Sequence, residues 1–455
     1  MARPAHRLTM AALAVAVGGA TAALPTAPVH AESPAAASAA AGPSSTASSS
    51  AASSSTASSS AARGRAAASS APGHRAAPPK SGGASPVQQH RLVGAWTTST
   101  DRITAALGGQ TVRMVVRASV GGAGTRLRLS NVFGTAPVTF SDVYVGVQAY
   151  GAEILAGTNR PVTFRKRTSV RVPPGQAVWS DPIPGRIAGG SALVVSLHLP
   201  GTVRGVTGHE RAYSTTYLSD PGNHSAEESG EGFTYTSTQW YFLDRIAVEA
   251  SGATVGSMVA FGDSITDGAG QAVDANRRWT DYLRQRLARQ STSRRMGVLN
   301  AGIAGNRLLH SNVGPSGLSR FYRDVLSQPG VRTVVVYEGI NDIARGDYTS
   351  IKPLAYGYKK LIREAHARKI KVLGATLTPF YGWGTWTPER EEIRQRLNTW
   401  IRTSGVFDGV LDFDRAVRDP EFPEQLTVSY DSGDHLHLSD AGRLAIADAV
   451  NTRML

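Results

Sequence analysis

Between residues 92 and 250 the apolar positions come in short runs rich in Val, Thr, Leu and aromatics, broken by Gly, Pro and Asn. Runs of this length bounded by turn residues read as β-strands. They are predicted at 111–120, 125–129, 138–147, 169–172, 192–199 and 240–248. Several alternate, as in Val112-Arg113-Met114-Val115-Val116-Arg117 and Arg126-Leu127-Arg128-Leu129, the period of a strand with one face buried. Strand follows strand with little helical periodicity between, which predicts an all-β antiparallel sandwich, jelly-roll-like in kind, over 91–250.

Beyond Ser251 the period changes. Apolar runs at 258–261, 298–300, 334–337, 372–376 and 410–413 suit strands buried on both faces. Helices are predicted at 279–289, 354–368, 389–402 and 440–450. In the second, Leu354, Tyr358, Leu361, Ile362 and Ala365 recur at helical spacing and form one buried stripe. This alternation predicts a three-layer α/β/α domain around a parallel sheet over 251–455.

The first 90 residues carry neither pattern. Arg3 and Arg7 precede an apolar run at 8–24 and then small residues ending Val29-His30-Ala31, the order of a secretory signal peptide cleaved after Ala31. An uncleaved anchor is the competing reading, but Gly18, Gly19 and Pro25 interrupt the run. No other segment is apolar enough to span a bilayer, so the processed chain is expected not to be membrane-spanning but secreted, extracellular or bound to the cell envelope. Residues 32–90 are mostly Ala and Ser, a composition that cannot bury enough apolar surface to order itself, and read as a disordered linker. The chain has no cysteine, so its cores hold it without disulfides. The net charge of +14 is scattered, with no Lys/Arg block interleaved with aromatics, which argues against a nucleic-acid partner.

Polar blocks follow three successive predicted strands: Gly262-Asp263-Ser264-Ile265-Thr266-Asp267, Asn300-Ala301-Gly302-Ile303-Ala304-Gly305-Asn306, and Gly339-Ile340-Asn341-Asp342. Open α/β sheets bind ligands outside the carboxyl ends of their strands, so the blocks are expected to share a crevice. Asp434-His435-Leu436-His437 precedes the last helix. A serine hydroxyl needs an imidazole to take its proton, and an aspartate three residues before that histidine can fold back on its other ring nitrogen. A glycine admits close backbone approach, and an asparagine supplies an uncharged N–H donor for an oxyanion.

Taken together and in this order, the blocks resemble those of the SGNH or GDSL hydrolases, over about 251–455. The resemblance implies a flavodoxin-like SGNH hydrolase domain in which Ser264 is the nucleophile, His437 the general base and Asp434 its orienting partner. It also implies an oxyanion hole formed by the backbone N–H groups of Ser264 and Gly305 and the side-chain amide of Asn341. The activity implied is that of a carboxylic ester hydrolase, an esterase or lipase working through an acyl-enzyme with no metal or organic cofactor. Its substrate would be a carbohydrate acyl ester, such as an O-acetyl or other short-chain ester, or a lipid ester. Thr266 stands where a Gly-x-Ser-x-Gly elbow would need its second glycine, which separates the chain from the α/β-hydrolases.

Other readings stay open at this level. His435 and His437, with Asp431 and Asp434, are alternative metal ligands. Asp263 and Asp342 read as turn or cap acceptors, and His366 as a solvated residue. The aromatic run 380–386 lines an acyl or sugar pocket or is simply a packed loop. Trp96, Trp179 and Trp240 of the β-region are candidates for polysaccharide contact or for core. The rival reading is a cell-envelope or polysaccharide-binding protein in which the β-region binds and the hydrolase domain is inactive or secondary; the intact catalytic blocks argue against an inactive domain.

Overall fold

A computed structural model describes residues 91–250, 254–290, 295–346 and 348–455. The signal peptide and linker expected at 1–31 and 32–90 lie outside the described residues. The described residues form one compact unit.

Its first part is built from antiparallel strands in three sheets. One orders Arg91–Thr97, Leu243–Ala250, Gly122–Ser130 and Ala177–Trp179; a second is centred on Gln110–Arg117, Ala192–Leu199 and Val138–Val147. The third joins Trp240–Tyr241, Val203–His209 and Asp101–Leu107. Leu127 and Leu129 point into the core as their alternation predicts, while Arg126 and Arg128 are only partly buried.

Two expectations change. The run 240–248 is not one strand: Phe242 adopts a φ of 60°, and the chain there passes from the third sheet to the first. Arg113, outward by alternation, is fully buried. It donates to Ser196 Oγ at 3.0 Å and to the carbonyls of Ala152 and Glu227 at 2.7 and 2.6 Å, with Phe233 beneath it. The loop carrying Glu227 and Phe233 covers that face, and burial lowers the Arg113 pKa to about 10.

The second part is a five-stranded parallel sheet in the order Arg295–Gly302, Thr254–Gly262, Val331–Tyr337, Lys371–Ala375, Gly409–Leu411. The first strand in sequence thus lies inside the sheet between the second and third, and the order reverses beside it, which in this class of sheet opens a crevice at the carboxyl ends. Gly262 is in register with Gly302 on one side and Tyr337 on the other, so the three loops that follow leave the sheet at one level. Helix Lys352–His366 buries Leu354, Tyr358, Leu361, Ile362 and Ala365, the predicted stripe. The strand expected at 410–413 stops earlier: the Asp412 carboxylate caps helix Phe413–Val417 by accepting from Arg415 N.

The two parts share a buried seam. The strand Arg91–Thr97 lies so close to the parallel sheet that a β-carbon on Gly297 would stand 2.2 Å from the Gly94 carbonyl oxygen. Ser119 Oγ donates to Ala95 O at 2.6 Å and accepts from Val298 N at 3.0 Å. Among the described residues no helix is long and apolar enough to cross a membrane.

Candidate active site

The strand Thr254–Gly262 ends in a sharp turn into the four-residue helix Ser264–Asp267. Only glycine fits at 262, where a β-carbon would sit 2.4 Å from the Tyr337 carbonyl oxygen and 2.5 Å from Thr266 Oγ1. Asp263 caps the helix by accepting from Ile265 N at 3.0 Å. Ser264 is the first helical residue, so its N–H has no intrahelical acceptor.

His437 reaches this serine from the loop before helix Asp440–Ala449. Its Nε2 is 2.8 Å from Ser264 Oγ and its Nδ1 is 2.6 Å from Asp434 Oδ2. A carboxylate can only accept, so Nδ1 carries the proton and Nε2 is left to accept from the serine hydroxyl. The other oxygen of Asp434 accepts from the backbone of His437 and Leu436 at 2.8 and 3.0 Å. Burial works against ionisation of Asp434, but the His437 ring and these N–H groups outweigh it and hold the carboxyl below the usual range. The Trp383 and His437 rings stand perpendicular at a centroid distance of 5.9 Å.

Gly305 and Asn341 follow the two neighbouring strands. Gly305 has a φ of 77°, which a residue with a β-carbon adopts at a cost. Its loop is tied on three sides: Asn306 Nδ2 donates to the carbonyls of Val313 and Pro315, both at 2.9 Å. Asp342 accepts from Leu308 N and Leu309 N, and Asp267 Oδ2 accepts from Ala304 N at 3.1 Å. Asn341 lies in the first turn of helix Ile340–Ala344, and its Nδ2 is buried with no hydrogen-bond partner among the described residues. An amide desolvated in this way is poised for an acceptor that the resting fold does not supply.

Beneath the site sits a charge cluster that sequence reasoning missed. The buried Arg320 donates to Gly262 O at 2.8 Å, Ala301 O at 2.7 Å and Asn306 Oδ1 at 2.8 Å, and pairs with Glu338 and Asp324. It thereby binds the ends of two strands and the Gly305 loop. Glu338 is raised well above the usual carboxylate range, by burial first and then by Asp263 and Asp342. Asp263 is pushed up to about 7, chiefly by burial. Arg320 belongs to none of the recognised blocks, so its position carries no local signal. Asn306 and Asp267 lie within quoted blocks, but their partners fall outside their own blocks.

The remaining candidates fall as follows. His435 pairs with Asp431 at 2.7 Å and not with the Asp434–His437 pair, and among the described residues no three His, Cys, Asp or Glu groups are arranged to hold a metal. His366 is exposed and bonds Asp408 at 2.8 Å. In the aromatic run Phe380 is core, Trp383 touches the site, and Tyr381 and Trp386 pack edge to face. Trp96 and Trp240 are buried, edge to face at 4.9 Å, and present no open platform; Trp179 is half-buried on a short strand beside Arg128.

Residues 260–445 match the profile of the GDSL-like Lipase/Acylhydrolase family. No curated protein matched the chain. Solved structures similar to it include a GDSL-like lipase from Bacteroides thetaiotaomicron, at 22% identity over 44% of this chain and 87% of that one, with a TM-score of 0.33. A lipase/acylhydrolase from Enterococcus faecalis matches at 21% identity over 43% of this chain and 93% of its own, TM-score 0.33. The aryl esterase of M. smegmatis matches at 18% identity over 42% and 95%, TM-score 0.35. The profile match spans Ser264, Gly305, Asn341, Asp434 and His437, so it is the region carrying the site, residues 260–445, that is similar to the GDSL-like Lipase/Acylhydrolase family.

Proposed function

We propose that the chain is a secreted serine esterase that hydrolyses carboxylic esters through an acyl-enzyme on Ser264. The observation that carries this reading is the continuous hydrogen-bonded line from Ser264 Oγ through His437 to Asp434, at 2.8 and 2.6 Å. As Ser264 Oγ bonds to the ester carbonyl carbon, His437 Nε2 takes its proton and Asp434 stabilises the imidazolium. The oxyanion is held by the N–H groups of Ser264 and Gly305 and by Asn341 Nδ2. Collapse breaks the bond to the alcohol oxygen, which leaves with the proton from His437. Water then gives a proton to the same imidazole as it attacks the acyl-enzyme, and the proton returns to Ser264 as the acid departs. The cycle balances with ester and water alone.

The substrate class we assign is short-chain or O-acetyl esters of carbohydrates, or lipase-type esters, with Trp383 as one wall beside the reacting histidine. We read 1–31 as the export signal, 32–90 as a tether, 91–250 as a jelly-roll-like sandwich and 251–455 as the catalytic domain. The test is hydrolysis of p-nitrophenyl esters from acetate to palmitate, with acetate release from acetylated xylan, by the wild-type chain and Ser264→Ala. Ser264-dependent turnover supports the reading; equal turnover by both refutes it.

A further inference from the structure

We infer that His209, which belongs to the antiparallel part of the chain, is a positioning residue for the oxyanion loop, so that this part completes the hydrolytic site instead of serving as a separate binding module. The inference rests on the esterase reading above. Its basis is a relay of hydrogen bonds across the seam. His209 Nε2 lies 2.9 Å from Asp267 Oδ1, and Asp267 Oδ2 accepts from Ala304 N at 3.1 Å. Asp267 is the last residue of the helix that Ser264 begins, and Ala304 immediately precedes Gly305. One carboxylate therefore links the nucleophile's helix to the residue just before Gly305, and His209 holds that carboxylate in place.

The other side of the ring is equally committed. His209 Nδ1 is 2.8 Å from the Ser99 carbonyl oxygen, and Arg320 donates to Ser99 Oγ at 3.1 Å while also binding Gly262 O. His209 Nε2 also lies 3.2 Å from Arg211 O. Both ring nitrogens thus face only acceptors, and a neutral imidazole has one N–H. The arrangement is satisfied by the imidazolium, paired with Asp267 in a site where both side chains are 5% exposed.

Other groups around the ring modulate this pair. Arg278 opposes the imidazolium, Trp240 lies against the ring at 5.7 Å, and Tyr213 is close enough to Asp267 to feel its charge. Asp101, Glu210 and Arg211 line a small adjoining cavity of about 90 Å³. Burial pulls the His209 pKa down, but the Asp267 charge, the hydrogen bond to it and the Ser99 carbonyl outweigh burial and Arg278, and the net shift is upward. The imidazolium is therefore present below this raised value and is lost as pH rises through it. Loss of that proton leaves one ring nitrogen facing an acceptor without an N–H and Asp267 buried without its cation, which loosens the carboxylate that holds Ala304.

The expected result for the full chain is an alkaline fall in kcat on p-nitrophenyl acetate. His209→Gln should lower kcat at neutral pH by roughly 10-fold with KM within about twofold, the effect of a modest misplacement of one donor. Asp267→Asn is the decisive second variant. Its amide oxygen can still accept from Ala304 N and its Nδ2 can donate to a neutral His209, so its pH profile should lose the alkaline fall. Thermal melts of both variants and labelling of Ser264 by a fluorophosphonate accompany the kinetics, and if His209→Gln does not fold, Asp267→Asn decides. A wild-type chain that labels and turns over, with an alkaline fall that persists unchanged in Asp267→Asn, overturns the role of His209 alone. A wild-type chain that neither labels nor turns over overturns the esterase reading and this inference with it.

Discussion

Replacing Asn341 by alanine separates a catalytic donor from a structural one. In the resting fold its Nδ2 is buried and bonds nothing among the described residues, so truncation breaks no hydrogen bond. An unpaired buried donor costs about 1–3 kcal/mol, and removing it offsets the small loss of packing from a half-buried side chain. The unfolding free energy of Asn341→Ala should therefore be unchanged or raised by about 1 kcal/mol. Turnover should behave in the opposite way. If the amide meets the oxyanion, its removal costs about 2.7–4 kcal/mol in the transition state, a fall of roughly 10² to 10³ in kcat. KM should change little, because the ground-state carbonyl is a weaker acceptor. The assay pairs steady-state kinetics on p-nitrophenyl acetate with urea unfolding of the same preparations. A kcat within tenfold of wild type, or a stability loss above about 1 kcal/mol, would refute the reasoning, the second by showing that the amide is bonded within the fold.

Three further outcomes follow from the same geometry. Ser264→Ala should abolish ester turnover and fluorophosphonate labelling while its thermal unfolding stays near that of wild type, since only one hydroxyl is lost. Because Asp434 is held below the usual carboxylate range, it stays ionised through mild acid, and its contribution to stability is lost only as pH falls through that lowered value. Protonation of Asp434 should therefore add no second step to an acid fall in kcat/KM, which keeps a slope of no more than one on a logarithmic plot; a slope of two would contradict it. Asp324 is lowered to about 2, since Arg323 and Arg320 outweigh the opposing effect of burial. Its stabilisation is present above the unfolded value near 3.9 and disappears as pH falls toward 2. Asp324→Asn should cost about 3 kcal/mol at pH 7 and little at pH 2, read from urea midpoints; an equal cost at both values would exclude the charge as the cause.

What the sequence by itself determined is what depends on neighbours a few positions apart. The stripe from Leu354 to Ala365 is set by helical period, and the runs that became parallel strands are set by continuous apolarity bounded by glycine. The Asp434–His437 bond lies within one turn, so its spacing is visible in the chain. The order of the polar blocks pointed to a shared crevice because strand ends in such a sheet lie at one level. Elsewhere local pattern was overruled. Arg113 alternates like a solvent-facing residue, yet a loop more than a hundred positions later covers it and supplies the Glu227 carbonyl as an acceptor. The run 240–248 reads as one strand, yet a left-handed Phe242 lets it serve two sheets. Tertiary structure alone decided that Arg320 would join two strand ends to the Gly305 loop, that Trp96 and Trp240 would be core, and that His209 would meet Asp267. These contacts form between segments with no spacing rule, because buried charges and donors must find whatever partners packing brings within reach.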